Sequence, residues 1–310
     1  MGLWRRLLDE LRAFTASMQQ SEEHLRALSR SEHHLWAAAD RASAIERQLA
    51  HITAIEARRE MVAIMADPRL ADPLRLERYG FKVHSQHDED GIIAEIFRRV
   101  GEESRTFVEF GAGDGHENCT GFLLLQGWRG LWIDGDAQNV ANIRRMWAHE
   151  IDSDRLKVMC EFITADTIDG LIRSSGIEGE IDLLVVDLDA NDYHVLEKIE
   201  AVSPRVICAE YNANFPPEVA WTMRRDDTYV WDRVDYRVGA SLKALELLLA
   251  RRGYTLVGCS VAGVNAFFVR RDLVQGNFAE PFTAENHYHN WRSFYGSSAA
   301  SDTLWRGWRV

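Results

Sequence analysis

Residues 106–116 read Thr106-Phe107-Val108-Glu109-Phe110-Gly111-Ala112-Gly113-Asp114-Gly115-His116, an apolar run that passes directly into a glycine-rich turn. Phe107, Val108 and Phe110 predict a buried strand. Gly111, Gly113 and Gly115 remove Cβ atoms where the backbone must bend sharply and come close to a ligand. A strand feeding such a turn points to a nucleotide-type cofactor. The remainder of the chain decides which one.

Outward from this stretch, strand-like and helix-like segments alternate. Ser85, with Asp88 three positions on, predicts the N-cap of a helix that carries Ile92, Ile93, Ile96 and Phe97 and closes at Gly101. After the strand at 106–111 come a helix near 118–126, a strand at 130–134, a helix at 137–149 and a strand at 157–163. A helix at 167–174, a strand at 181–187, a helix at 191–201 and a strand at 205–210 follow. Such alternation requires a mainly parallel sheet covered by helices on both faces. The end differs: a helix at 240–251 leads to the strand-like runs at 254–260 and 266–270, and the few residues between these runs, Gly263 among them, are too few for a helical crossover. They must pair as an antiparallel hairpin. The expected fold is α/β, a doubly wound, mainly parallel seven-stranded sheet ending in that hairpin.

Six stretches in this order carry a resemblance. They are Tyr79-Gly-Phe-Lys-Val-His-Ser-Gln-His-Asp-Glu-Asp-Gly, Val108-Glu-Phe-Gly-Ala-Gly-Asp-Gly, Gly130-Leu-Trp-Ile-Asp-Gly-Asp, Val186-Asp-Leu-Asp-Ala-Asn-Asp-Tyr, Ala209-Glu-Tyr-Asn and Gly263-Val-Asn-Ala-Phe-Phe-Val-Arg. Together, over residues 79 to 271, they resemble the class I S-adenosylmethionine-dependent methyltransferases, and most closely the FkbM-like type associated with sugar O-methylation. The resemblance implies a Rossmann-like methyltransferase domain, S-adenosylmethionine as cofactor, and a sugar or glycan hydroxyl as methyl acceptor.

In that family the loop after the first strand wraps the methionyl part of the cofactor, whose ammonium and sulfonium are cationic. Gly111, Ala112 and Gly113 would supply the loop, and Glu109 and Asp114 suit a cation better than a pyrophosphate, which adjacent acids would repel from a helix N-terminus. The spacing also departs from G-x-G-x-x-G, since His116 stands at the last glycine position. Both features count against an NAD-dependent oxidoreductase, the competing enzyme reading. Asp134, ending the second strand, is placed to accept both ribose hydroxyls, though a dinucleotide fold would use the same position. Asp166 matches the family position for the adenine amino group, or else N-caps the next helix. The resemblance also places Gln86 and Glu89 over the methionine end. Asn118 and Thr120 either bind the cofactor carboxylate or start a helix. Asp187 completes the expected cofactor set.

The acidic turn Asp187-Leu-Asp189-Ala-Asn191-Asp192 is the expected chemical centre, because it follows the apolar run 183–186 at the carboxyl end of a parallel strand, where open α/β sheets bind ligands. A sugar hydroxyl has a high pKa, so methylating it is helped by a base or by a cation. Asp189, Glu210 and Asn212 are hard oxygen ligands able to hold Mg²⁺, as the resemblance to metal-using sugar O-methyltransferases suggests. Without a metal, Asp189 or His194 would be the base, and His116 is a further catalytic candidate. The alternative is a set of helix caps on a solvated rim. Residues 213–238 are too long for a routine connection and carry Phe215, Trp221, Tyr229, Trp231 and Tyr236, which either face a carbohydrate or pack the loop onto the sheet. The segment 276–310, with His287, His289, Trp291, Trp305 and Trp308, is expected to cover the domain or join an oligomer interface.

The first 66 residues differ from the rest. Trp4, Leu7, Leu11, Phe14, Met18, Leu25, Leu28, Leu35, Ala39 and Ala42 fall on alternating three- and four-residue steps, with Ser21 and Glu32 as polar interruptions. This is a coiled-coil seam. It resumes at Ile45, Leu49, Ile52 and Ile55 after a three-residue slip of the stammer type. Some sixty helical residues would extend roughly 90 Å, beyond what a compact domain covers, so homo-oligomerisation through this helix is expected. Two antiparallel helices folded on the domain, or an N-terminal stretch 1–14 lying on a membrane surface, are the other readings. The expected domains are therefore 1–66, a methyltransferase domain at 67–275, and the tail at 276–310.

Of 310 residues, 46% are hydrophobic and 27% charged, an ordinary globular composition, and a net charge of −12 argues against nucleic acid as partner. Cys119, Cys160, Cys208 and Cys259 show no metal-type pairing and read as reduced core residues. With no apolar stretch of membrane-span length and no signal-peptide core, a cytoplasmic protein is expected. A coiled-coil scaffold whose domain only binds a ligand is the non-enzyme alternative.

Overall fold

A computed structural model describes residues 2–231 and 234–292. The chain divides into two compact units, 1–53 and 54–310. Helix α1 (Gly2–Met65) is unbroken, so the reading as two antiparallel helices is not realised. It contributes its last turns to the second unit, where Ala57 and Met61 are buried with Val261 and Ala262. The seam positions Trp4, Leu7, Leu11, Phe14, Leu25 and Leu28, as side chains, lie outside the described residues, as do Trp305 and Trp308 of the tail. No helix among the described residues is long and apolar enough to cross a membrane.

The second unit is built on α2 (Glu89–Val100), β1 (Thr106–Phe110), α3 (Gly121–Leu125), β2 (Arg129–Asp134), α4 (Ala137–Met146), α5 (Ala148–Asp152), β3 (Leu156–Cys160) and α6 (Ile168–Ser174). Then come β4 (Gly179–Val186), α7 (Asp192–Lys198), β5 (Val202–Glu210), α8 (Leu242–Arg251), β6 (Tyr254–Cys259), β7 (Asn265–Arg270), α9 (Arg271–Val274) and α10 (Ala284–His287). The sheet order is β3-β2-β1-β4-β5-β7-β6. β1 to β5 run parallel, whereas β7 is antiparallel to both β5 and β6. This is the Rossmann-like methyltransferase fold with the expected terminal hairpin.

Alternation along β1 sets up the two layers. Val108 and Phe110 join the core beneath α6, α7 and α8, while Phe107 joins the core beneath α2, α3 and α4. Glu109, two residues from Phe107, points into that second layer too. Element edges differ from expectation in a few places. The helix after Ser85 begins only at Glu89, because Asp90 turns back to accept from the amides of Val83, His84 and Ser85 and holds those residues in a loop. Asp88 accepts from Val261 N at 3.1 Å instead of capping. The expected helix 137–149 is broken at Trp147, whose indole donates to Gly115 O at 3.0 Å and ties α4 to the glycine turn. Cys160 is exposed at the end of β3 and is not a core residue; Cys208 and Cys259 are buried.

Candidate active site

At the carboxyl ends of β1, β2, β3 and β4 lies a cavity of about 500 Å³. Its walls include Gly111, Asp134, Phe162, Asp187, Asp189 and Trp231. A second cavity, about 110 Å³, is lined by Asp189, Glu210, Asn212, Trp231, Tyr236 and Trp291, among others. Asp189 and Trp231 belong to both walls, so the two spaces adjoin there.

The glycine turn leaves β1 at Gly111 with φ of +69°, a left-handed conformation that glycine adopts without cost. A Cβ at Gly111 would lie 1.7 Å from the carbonyl oxygen of Asp187. The close neighbour that requires glycine here is thus the adjoining turn of the protein. Asp134 holds the loop from the other side: Oδ2 accepts from Gly113 N at 2.8 Å, and Oδ1 from Asp136 N at 2.8 Å and Asn139 Nδ2 at 3.2 Å.

Of the residues expected at the cofactor, Gly111, Asp134 and Asp187 line the larger cavity. Glu109, Ala112, Gly113, Asp114, Asn118, Gln86 and Asp166 do not. Glu109 is buried on the α3 side of the sheet, where its carboxylate accepts from Cys119 N, Thr120 N and the Thr120 hydroxyl. Burial pushes it up to about 7 despite these donors. Thr120 accepts in turn from Trp132 Nε1 at 2.7 Å. Asn118 donates to Ala112 O at 2.9 Å, so Asn118 and Thr120 fix the turn from within. Asp114 and His116 are exposed and meet each other at 3.2 Å. Gln86 is also exposed. Asp166 neither caps α6 nor reaches the cavity: Arg225 binds it at 2.6 Å, and this neighbouring guanidinium lowers its pKa. Glu89 is buried, accepting from Asn265 Nδ2 at 3.0 Å and His87 N at 2.8 Å.

The acidic turn is different. Carboxylate oxygens of Asp187, Asp189 and Glu210 all lie within 4.8 Å of one another. Burial, followed by the charges of Asp189 and Asp192, pushes Asp187 up to about 8. Burial, followed by the charge of Asp187, raises Glu210 well above the usual carboxylate range. Burial and neighbouring charge thus disfavour ionisation of both Asp187 and Glu210. Asp192 accepts from Leu188 N at 2.8 Å and closes the turn; burial pushes it up to about 6. Asp189, at its apex, has φ of +60°, a conformation that costs most non-glycine residues energy and collects at functional sites.

Two expected groups fall out of this cluster. Asn212 lines the smaller cavity, but its Oδ1 accepts from Asn214 N and Nδ2, both at 3.0 Å, and its Nδ2 donates to Tyr236 O and Val238 O. It braces the loop, and Asp187 takes its place beside Asp189 and Glu210. His194 Nε2 is 3.0 Å from Met223 O, and His194 lines neither cavity.

The loop after β5 is pinned where it crosses the site. Asn191 exchanges hydrogen bonds with the backbone of Asp226, and Arg225 reaches Asp166 and Asp227. Its aromatics divide: Phe215 and Trp221 stack on each other with centroids 4.4 Å apart, while Tyr229 and Trp231 line the larger cavity. In the tail, His287 is buried and pushed down to about 4, and His289 lies 3.3 Å from Glu77, so neither joins the acidic cluster. Glu161 and Phe162, just past β3, line the larger cavity and were not anticipated. An aromatic residue near the carboxyl end of an expected parallel strand, Phe162, was the available signal.

No family model matches the chain, and no curated protein matches it. Among solved structures, the methyltransferase domain of bacterial CtHen1-C aligns with a TM-score of 0.38 at 15% identity, covering 59% of this chain and 97% of that one. The N-terminal domain of EvdMO1 with SAH bound gives 0.38 at 12%, covering 67% and 94%. A methyltransferase from Geobacter sulfurreducens gives 0.35 at 17%, covering 57% and 76%. At such identities and scores the fold assignment rests on the strand order itself.

Proposed function

We propose that this protein is an S-adenosylmethionine-dependent O-methyltransferase acting on a hydroxyl of a sugar or glycan. The observation that carries the reading is the charge of the larger cavity. Asp134, Asp136, Glu161, Asp187 and Asp189 line it, with no Lys, Arg or His among the described lining residues. Such a wall favours a cationic ligand and repels the pyrophosphate of a dinucleotide. When bound, S-adenosylmethionine supplies a sulfonium methyl group. Asp134 at the end of β2 and Asn139 in the first turn of α4 offer ribose hydroxyls an acceptor and a donor, and Phe162 offers an apolar face for the adenine.

The acceptor would occupy the smaller cavity, where Trp231, Tyr236 and Trp291 present ring faces to sugar C–H groups and Asp189 and Glu210 accept from hydroxyls. Asp189, shared by both spaces, takes the hydroxyl proton as the acceptor oxygen attacks the methyl carbon and the carbon–sulfur pair leaves with sulfur. Asp187, Asp189 and Glu210 also fit a hard divalent cation: ligand oxygens about 2.4 Å from one ion stand at most about 4.8 Å apart, and these three meet that limit. Such an ion would lower the hydroxyl pKa. Calorimetric titration separates the readings. S-adenosylhomocysteine should bind and NAD should not; binding of NAD alone would overturn the proposal. Full activity after exhaustive chelation would remove the metal while leaving methyl transfer in place.

A further inference from the structure

The first unit holds an apolar stripe whose occupant the sequence itself specifies. Leu35, Ile45, Leu49 and Ile52 of α1 are 68%, 55%, 58% and 57% exposed, and Trp36 is 75% exposed. Ala38, Ala42, Ile45, Leu49 and Ile52 recur on three- and four-residue steps, which puts Ala42 and Leu49 at heptad positions a and Ala38, Ile45 and Ile52 at d.

We infer that this stripe is covered by further copies of the same helix, in a parallel, in-register bundle of three or four chains. Three observations carry the orientation and the number. In this frame, with Ala38 rather than Ala39 in the stripe, the three-residue slip falls between Leu35 and Ala38, off the middle of residues 2–53. Stammers overwind a coil locally, so partners must share one at the same height. Parallel chains in register do so. An antiparallel partner over residues 2–53 would set residue 36 against about residue 19, where the seam is regular.

Arg41 and Glu46, both exposed, occupy g and the following e position. In parallel chains g of one helix meets that e of its neighbour, so each contact pairs opposite charges. Leu49 at a with Ile45 and Ile52 at d favours three or four strands over two. Glu32 is a polar interruption at a seam position of the preceding frame. It is the weak layer of the bundle, and replacing it should tighten assembly.

The full-length protein tests this. Sedimentation equilibrium should give three or four times the chain mass of 35.4 kDa; a monomer or a dimer overturns the proposal. In a Cys160→Ser background, Leu49→Cys should cross-link to its own copy under mild oxidation, and the outward-facing Arg47→Cys should not. Cross-linking of Leu49→Cys only to a cysteine placed near residue 6 would show antiparallel chains and overturn it. Arg41→Glu should raise the dissociation midpoint about tenfold, and Arg41→Glu with Glu46→Arg should restore it to within about threefold; no rescue counts against the register. Glu32→Leu should lower the midpoint. Ile45→Asn with Leu49→Asn should yield monomers while the melting of the second unit is retained. Monomers binding anionic vesicles through α1 would replace the bundle with a membrane surface.

Discussion

The glycine turn at 111–116 and the acidic turn at 187–192 leave neighbouring parallel strands, with Phe110 beside Val186 in the sheet. Both use a left-handed residue, Gly111 in one and Asp189 in the other. Yet they treat their carboxylates in opposite ways. Around the glycine turn, Glu109 is consumed by Thr120 and Cys119, and Asp134 by three donors. At the acidic turn, Asp187 and Asp189 crowd against Glu210 from the end of β5, and burial together with neighbouring charge pushes Asp187 up to about 8. Glu109, outside both cavities and with its donors satisfied, is scaffold, whereas Asp134 is braced and still lines the larger cavity. Carboxylates drawn this close to one another are suited to meet a cation or take a proton.

Substitutions can break this contrast. The largest effect is expected at Asp189: Asp189→Ala should cut turnover about 10²- to 10⁴-fold while cofactor affinity changes little. Steady-state kinetics beside calorimetry reads the split, and a parallel loss of affinity would move Asp189 to the scaffold class. Gly111→Ala drives a Cβ into the Asp187 carbonyl and should cost about 3 kcal/mol, or about 10 °C in Tm. A neutral result in thermal unfolding would mean the two turns are not in contact.

Thr120→Val strips Glu109 and Trp132 of a shared partner and should cost about 2 kcal/mol of stability with turnover per folded molecule unchanged. An activity loss beyond the folded fraction would make Glu109 part of the chemistry. The smallest effect is the pH dependence at Asp187. Its carboxyl, raised from 3.8 to about 8, keeps a proton that a bound cation must displace, so cation affinity should rise about tenfold per pH unit and level off near pH 8. For the same reason the unfolded chain releases this proton first, so Asp187 lowers stability as pH rises from about 4 to about 8. Calorimetry in buffers of different ionisation enthalpy should detect the released proton; no release would show that Asp187 is already ionised.

The strand–turn unit, the alternation that follows it and the antiparallel hairpin were all readable, because period-two apolar runs and connection lengths are local properties of the chain. The acidic turn was readable for the same reason, since it ends a run of buried strand residues. The roles of single acids were not. Glu109 looks, in sequence, like a residue at a cofactor loop; its strand phase turns it toward α3, and its donors come from 10 and 11 residues away. Asp166 is taken by an arginine 59 residues distant. His194 and Asn212 are bound by loop carbonyls that no spacing predicts.

The sequence by itself determined the layers of this protein, the acidic turn at the carboxyl end of β4, and the apolar positions of α1, since each follows from periodicity along one segment. Tertiary structure decided which carboxylates face the cavities and which serve as braces. That choice depends on where hydrogen-bond donors from distant segments arrive, and only the folded chain brings them together.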